Sequence, residues 1–291
     1  MNSGVLFALG AYLSWGLFPL YFRQLAAIPA LQIVAHRTLW SLAFVAVVLL
    51  VTRNLAWLKT VSAATWRRFA VSAALIAINW LTYVWAVGNG HVLDASLGYF
   101  INPLVNVALG YAVLHERPRP VQWCAVGMAA FGVVWLTVAA GHLPWVALVL
   151  AVSFGLYGLM RKTAALGAIE GLTLETLILA PLAAAGLIWW SQDGSMTGQT
   201  AVDWAWLIGT GPVTAGSLLL FAAGARRIPL ATLGLVQYVS PSLQFLLGVF
   251  LFKEPMSATR LVAFGFIWGA LALYSAEGLW QSRRALTVTP L

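Results

Sequence analysis

The sequence predicts an all-α polytopic membrane protein with ten transmembrane helices, arranged as two inverted five-helix repeats. Hydrophobic residues make up 62% of the 291 residues and charged residues only 8%, whereas soluble domains average about 45–50% and about 25%. Ten apolar runs of roughly twenty residues, the length that crosses a bilayer, follow one another with short connections. Fifteen tryptophans suit the interfacial belts of such a protein.

The ten runs are bounded by proline, glycine or charged residues, which mark helix ends. In chain order they cover residues 4–22, 33–52, 70–88, 95–114, 121–138, 143–160, 171–190, 204–223, 231–251 and 259–276. The two longest connections, 53–69 and 191–203, are polar and too short to form a soluble domain.

Lysine and arginine residues are distributed unevenly between the two sides of the membrane. If the N-terminus is inside, twelve of the sixteen lie in the inner loops or at the C-terminus, and four lie on the outer side. The positive-inside rule then predicts that both termini are cytoplasmic. The basic residues sit in short loops rather than along one face, so the expected partner is the lipid bilayer and not nucleic acid.

A motif in the fourth run recurs in the ninth at a constant shift of 138 residues. The recurring pairs are Pro103 and Pro241, Gly110 and Gly248, and Glu116 and Glu254. Because each copy contains five spans, an odd number, the second copy enters the membrane upside down. We therefore divide the chain into a first repeat, residues 1–138, and an inverted second repeat, residues 139–291.

Both copies of this motif place polar and aromatic side chains beside a proline inside an apolar run. A proline frees a backbone carbonyl, so in a membrane such helices are tolerated where they line a cavity or pack against other helices. Matched interruptions in the two halves of a transporter indicate its binding site, and Pro103 and Pro241 would permit local bends. A packed proline kink without a ligand is the alternative.

Three segments resemble the RarD subfamily of the EamA family, within the drug/metabolite transporter superfamily: residues 36–41, 79–80 and 96–104. The resemblance covers essentially the full length. It implies a ten-helix carrier of the bacterial inner membrane that works by alternating access, with a cavity between its halves. The label of the subfamily, chloramphenicol sensitivity, names a phenotype rather than a substrate. Residues 236–238 depart from the matching 98–100, so the second copy need not bind the same chemical group.

Polar and aromatic side chains within the runs are the candidates for substrate binding, because a pocket with aromatic walls and a few polar groups suits small amphiphilic solutes. Asn79 and Tyr83 are four residues apart and share one helix face, and Ser217 stands at the position that matches Asn79. The complete set is Trp15, Asn79, Tyr83, Tyr99, Asn102, Tyr157, Ser217, Gln237, Tyr238 and Gln244. Helix packing or an interfacial position is the alternative for each of them.

Five charged or titratable residues are candidates for coupling or gating. An ionised Arg37 would cost about 2.5–3.5 kcal/mol at the bilayer centre, so it is a candidate for the cavity or a gate, with a snorkelling anchor as the alternative. His36, beside it, points about 100° away around the helix. Glu175 matches Arg37 in the second repeat and is the candidate proton carrier, with an ion pair or cap as the alternative. Glu116 and Glu254 are candidate latches, as against static surface pairs.

These observations predict a secondary transporter that exports small amphiphilic metabolites or drugs, with proton coupling left open. The alternative is a membrane receptor or scaffold that binds a small molecule without net transport. An enzyme is not expected, because the familiar metal-binding and nucleophile motifs are absent from the sequence. A channel is disfavoured because the sequence contains no repeated carbonyl filter or ring of like charge. No metal or organic cofactor is implied, and the oligomeric state is not indicated.

Overall fold

The computed structural model describes residues 3–53, 55–115, 117–162, 165–196, 199–225, 227–228 and 236–287. Within these ranges the chain forms helices and no strand. Ten α-helices follow the order of the predicted runs: α1 (Ser3–Arg23), α2 (Ala30–Val51), α3 (Ala63–Gly88), α4 (Val92–Leu114), α5 (Pro120–Ala140), α6 (Trp145–Lys162), α7 (Ala168–Gln192), α8 (Ala201–Ala225), α9 (Val239–Leu246) and α10 (Ala258–Thr287).

Eight of these helices are long and apolar enough to cross a membrane, while α6 and α9 belong to shorter apolar segments, Trp145–Arg161 and Val239–Leu251. The second of these segments continues from α9 through one π-helical turn, Leu247–Leu251. Part of the predicted ninth run, residues 231–235, lies outside the described residues. The prediction of an all-α, multi-pass membrane protein is confirmed, and the inverted arrangement of its repeats stays a prediction.

Several helix ends follow from local sequence. The Ser62 hydroxyl accepts a hydrogen bond from the Thr65 amide, 3.2 Å away, and so caps α3. Pro120 occupies the first turn of α5, where its missing N–H is not needed. The same helix ends at Gly141, whose φ of 73° favours glycine.

The helices pack in a bundle in which α1 contacts α8 and α9, α6 contacts α3 and α4, and α2 contacts α7 and α8. Helix α5 packs against α10, and α4 packs against α9. We name the end that holds the α1–α2, α3–α4 and α9–α10 connections the upper end. The opposite end, with the α2–α3, α4–α5 and α6–α7 connections, is the lower end.

Three buried clusters form the core of the described chain. One lies mainly around α1, α2, α3 and α6, a second around α4, α5 and α10, and a small third one joins Ala8 and Tyr12 of α1 to Ile228. The closest backbone approach that concerns the site is at Gly98, where a Cβ atom would lie 2.7 Å from the Ala147 carbonyl oxygen of α6. Large apolar side chains such as Leu182 and Trp189 cover the outer surface. That distribution suits a bundle surrounded by hydrocarbon.

Candidate functional site

Arg37 is buried on α2, with 4% of its surface exposed, and three aromatic rings surround its guanidinium. The guanidinium carbon lies 4.1 Å from the centre of the Trp80 ring, 5.3 Å from Phe22 and 5.7 Å from Phe18. Its Nε donates a hydrogen bond to the Thr214 hydroxyl on α8, at 2.8 Å. Within the described residues Arg37 forms no ion pair, so aromatic faces and one hydroxyl stabilise its charge.

Tyr83, Tyr99 and Asn79 extend this group toward α4. The Tyr83 ring lies 6.1 Å from Phe22 and 5.9 Å from the Tyr99 ring. The Tyr99 hydroxyl donates to Oδ1 of Asn79 at 3.1 Å. The Tyr83 hydroxyl is buried and has no hydrogen-bond partner among the described residues. The structure thus brings Arg37 and these three sequence candidates into one continuous group.

Two asparagines of the predicted set hold α6 in place. Asn79 Nδ2 donates to the Leu150 carbonyl at 3.1 Å and to the Ser153 hydroxyl at 3.0 Å. Asn102 Nδ2 donates to the Ala151 carbonyl at 3.1 Å. The amide donors of both side chains are therefore used between helices, as the packing alternative predicts.

Aromatic contacts continue from Tyr99 toward the lower end. The Phe154 ring lies 5.9 Å from the Tyr99 ring and 5.9 Å from the Tyr157 ring. The Tyr157 hydroxyl donates to Oε2 of Glu175 at 3.3 Å. An unbroken row of side chains therefore connects Arg37 with Glu175, and we call it the aromatic row.

Glu175 lies on α7 with 1% of its surface exposed. The Ser72 hydroxyl of α3 donates to Oε1 at 2.6 Å, and Arg161 Nη1 lies 3.8 Å from the same oxygen. Arg161 also lies over the Phe69 ring at 5.5 Å. The ion pair that was the alternative for Glu175 is thus present. In the sequence Arg161 is counted only among the basic residues that set the orientation. Its position at the end of α6 is the signal that could have indicated the pair, because it puts Arg161 at the same lower end as Glu175.

A second branch of the site joins α1, α8 and α9. Trp15 Nε1 donates to the Ser217 hydroxyl at 2.8 Å, and that hydroxyl donates to the Thr214 carbonyl at 2.9 Å. Gln244 Nε2 donates to the Trp15 carbonyl at 3.1 Å. Because Thr214 also accepts from Arg37, this branch meets the aromatic row at the guanidinium.

Other candidates lie apart from this group. His36 is buried and its ring stands edge-on to Trp204, 5.2 Å away. Tyr238 packs with the cluster around α4, α5 and α10. Gln237 is half-buried before α9 and makes no hydrogen bond to the described residues of the site. Glu116 lies outside the described residues.

Glu254 binds the N-terminus of α4. Its Oε1 accepts from the Val92 amide at 2.7 Å and its Oε2 from the Leu93 amide at 2.9 Å. A carboxylate at a helix N-terminus satisfies free amides and faces the positive end of the helix dipole. Burial raises the pKa of Glu254 above its ordinary value, and the two amides oppose that shift in part. Nearby, Arg260 pairs with Asp94 at 3.4 Å.

The two motif prolines occupy different positions in their helices. Pro103 lies inside α4, which continues on both sides of it. Pro241 lies in the first turn of α9, where a missing amide costs little. The Ser96 hydroxyl of α4 donates to the Pro241 carbonyl at 2.8 Å, so the two motif copies touch.

A cavity of about 360 Å³ lies at the upper end, between the α1–α2 connection, α2 and α3. Its walls include Ile33, one turn before Arg37 on α2, together with Trp85 and Asn89 on the α3 side. Phe22 lines the cavity and also contacts the Arg37 guanidinium. Phe22 therefore contacts both the upper cavity and the buried charge.

Comparisons with known proteins agree with this architecture. The model of the EamA-like transporter family matches residues 2–138. An uncharacterized transporter of Pseudomonas aeruginosa is 49% identical, over 98% of this chain and 97% of its own length. Protein RarD of Escherichia coli is 45% identical, over 97% of each chain. The chloramphenicol-sensitive protein RarD of Pseudomonas aeruginosa is 33% identical, over 98% of this chain and 96% of its own.

A solved crystal structure has the same fold, with a TM-score of 0.64 at 20% sequence identity, and the match covers 95% of this chain and 97% of that one. At that identity the likeness concerns the fold alone. The sequence relatives carry the family assignment, because they extend over nearly the whole chain. The chain belongs to the EamA family of the drug/metabolite transporter superfamily, as a RarD-like membrane transporter.

Proposed function

We propose that the protein is a secondary transporter that exports small amphiphilic metabolites or drugs across the bacterial inner membrane by alternating access. The observation that carries this proposal is the aromatic row, which links a buried cation near the upper end to a buried carboxylate near the lower end. Buried ionisable groups are costly in a membrane and mark substrate or ion pathways. Aromatic walls with a few polar groups suit amphiphilic solutes.

The packing of the helices supports an inverted repeat of residues 1–138 and 139–291. If α1–α5 correspond to α6–α10, then the contacts of α1 with α8 and α9 correspond to the contacts of α6 with α3 and α4. The contact of α2 with α8 likewise corresponds to that of α7 with α3. All of these contacts occur, as a pseudo-twofold axis in the membrane plane requires.

Alternating access requires contacts that close each end in turn. At the upper end, the Glu254 carboxylate joins the α9–α10 connection to α4. At the lower end, the Ser72 hydroxyl joins α3 to Glu175 on α7. In our proposal the halves rock about the aromatic row, and each of these contacts breaks when its own end opens. Because the basic loops lie at the lower end, we expect that end and both termini to face the cytoplasm.

Proton coupling would act through Glu175 in this scheme. Protonation removes the charge that attracts Arg161, and loss of the proton at the lower end restores the ion pair. The hydrogen bond from Ser72 on α3 would couple this change to the first repeat. A pH gradient would then bias transport without any further titrating group.

The test is uptake and counterflow of a mixed metabolite pool in liposomes that contain the purified protein, with and without a pH gradient. We expect the wild type to move a solute, Tyr99→Ala to abolish that flux and Glu175→Gln to remove only its pH response. Tyr111→Ala is the matched control, because Tyr111 lies on the same helix as Tyr99 but is 52% exposed on the outer surface. A solute that binds without flux under either gradient would instead establish a receptor or scaffold.

A further inference from the structure

Arg37 has no charged partner in the described part of the chain, whereas buried Glu175 and Glu277 each pair with an arginine. Three buried carboxylates are described there, and all three are occupied elsewhere. Glu175 pairs with Arg161, Glu254 binds the amides that start α4, and Glu277 accepts from Arg119. Among the residues that the structure describes, this buried positive charge therefore has no protein counter-ion.

The hydrogen-bonding capacity of this guanidinium is also largely unused. An arginine side chain has five N–H donors in a planar fork. The donor on Nε is satisfied by Thr214, and the terminal nitrogens have no acceptor among the described residues. Aromatic faces such as that of Trp80 stabilise the charge, but they do not accept hydrogen bonds in the plane of the fork.

A carboxylate is the group that best completes this arrangement, because its two oxygens match the fork in a bidentate pair. A phosphate monoester carries about two negative charges near neutral pH. Here a single cation stands among aromatic rings, so a second negative charge would be left unpaired and desolvated. The site therefore favours a monoanion.

The surroundings of Arg37 define the rest of the ligand. The upper cavity begins one turn away at Ile33 and shares the Phe22 ring with the guanidinium. Its volume of about 360 Å³ falls at the small end of the range for ligand pockets, about 300–1,000 Å³. Asn89 contributes a polar side chain to the cavity wall. The Tyr83 hydroxyl, whose ring contacts Phe22, is buried and has no hydrogen-bond partner among the described residues.

We propose that the substrate is a small monocarboxylate with an apolar or aromatic body, whose carboxylate binds the Arg37 guanidinium while its body occupies the upper cavity. This inference rests on the proposed transport function, because only a transported ligand is a substrate. The binding step itself can be measured without transport.

Binding is measured by calorimetry on the protein in lipid nanodiscs. The probes share one ring and differ in charge: phenylacetate, phenylacetamide and 2-phenylethylamine, with benzoate and hexanoate as further carboxylates. We expect at least one carboxylate to bind tenfold or more tightly than the neutral amide or the amine. In Arg37→Gln this preference should disappear, whereas Arg37→Lys should retain a weaker preference because it keeps the charge but loses the fork.

Arg23→Gln is the matched control. Arg23 also lies over an aromatic ring, at 5.3 Å from the centre of Phe252, but it is exposed at the upper end. Its replacement should leave the carboxylate preference unchanged, so a general effect of positive charge at the upper end can be separated from binding at Arg37. If Arg37→Gln does not fold, the comparison of Arg37→Lys with the wild type carries the test.

Equal binding of carboxylates and amide, a preference that survives in Arg37→Gln, or no binding by any carboxylate of the panel would overturn the inference. Flux assays on the same preparations separate it from the proposed function. Carboxylate preference without flux leaves the inference intact and contradicts transport. Flux of neutral or cationic solutes with no effect of Arg37→Lys supports transport and overturns the inference.

Discussion

Arg37 and Trp80 form the closest cation–aromatic contact of the described residues, with the guanidinium carbon 4.1 Å from the ring centre. The pair joins α2 to α3 at the point where the aromatic row begins. On α3, Trp80 directly follows Asn79. Trp80 contacts Arg37, and Asn79 accepts the hydrogen bond from Tyr99. The orientation of Arg37 thus depends on the packing of α3.

The contribution of this contact is measurable in a double-mutant cycle with Arg37→Met and Trp80→Leu. A desolvated cation–π pair is worth about 2 kcal/mol, so we expect a coupling energy of that order in the free energy of unfolding. The measurement is denaturant unfolding of the purified protein in mixed micelles. Trp80→Phe is the control, because it keeps a ring face and should retain most of the coupling. Additive effects of the two substitutions would contradict the assignment.

Glu254 should stabilise the start of α4 through the amides that it binds. Glu254→Ala leaves two buried N–H groups unsatisfied, and we expect a loss of about 1–3 kcal/mol in the free energy of unfolding. Glu254→Gln keeps one acceptor oxygen and should cost less. Hydrogen exchange at the Val92 and Leu93 amides gives a local readout, and unchanged protection in Glu254→Ala would disprove the capping role.

The same carboxylate should also make stability depend on pH. Burial raises the pKa of Glu254 above its ordinary value of 4.5, so the folded protein retains this proton to higher pH than the unfolded chain. The corresponding stabilisation is complete below the ordinary pKa and is lost as pH rises through the pKa of the folded state. The free energy of unfolding of the wild type relative to Glu254→Gln should therefore fall as pH rises above 4.5. If the difference in the free energy of unfolding between the wild type and Glu254→Gln is constant or increases with pH, the pKa of Glu254 is not raised in the folded protein.

The helix order and most helix positions could be predicted from the sequence, because hydrocarbon requires long apolar segments with internal backbone hydrogen bonds. The apolar runs underestimated helix length where polar residues continue a helix beyond the hydrocarbon. Helix α3 was expected from residue 70 but begins at Ala63, because Ser62 caps it and the segment with Arg67 and Arg68 remains helical. Helix α7 likewise extends to Ala168 and Gln192.

The site could be predicted only in part, because some of its contacts follow from local helical spacing and others depend on how distant helices pack. Helical spacing placed Asn79 and Tyr83 on one face, which needs only local geometry. The pairing of Glu175 with Arg161 depends on how α6 and α7 are rotated against each other, which a local pattern does not encode. The contact between Glu254 and Val92 joins residues 162 positions apart. A carboxylate after a helix gives no indication of which distant helix start it will bind.

Asn79 and Tyr99 should contribute unequally to stability. Asn79→Ala removes the hydrogen bonds to α4 and α6 together and leaves the Tyr99 hydroxyl and the Ser153 hydroxyl with fewer partners, so a loss of about 1–3 kcal/mol is expected. Tyr99→Phe removes one hydrogen bond and should cost about 1 kcal/mol. Asn89→Ala is the control, because its exposed side chain bonds only within α3 and should change stability by less than about 0.5 kcal/mol. The ranking is checked by denaturant unfolding, and a larger loss for Tyr99→Phe would contradict it.

Gly98 permits α4 and α6 to approach each other at the level of Tyr99. A Cβ atom there would lie 2.7 Å from the Ala147 carbonyl oxygen, and because that neighbour is backbone it cannot rotate away. Gly98→Ala should therefore destabilise the protein by about 1–3 kcal/mol, as overpacking does. Gly127→Ala on α5 is the control, because nothing lies within 4 Å of its Cβ position. There alanine should increase stability by about 0.5–1 kcal/mol through its higher helix propensity. Thermal unfolding in detergent compares the two variants, and effects of the same sign would show that α4 and α6 are not in backbone contact.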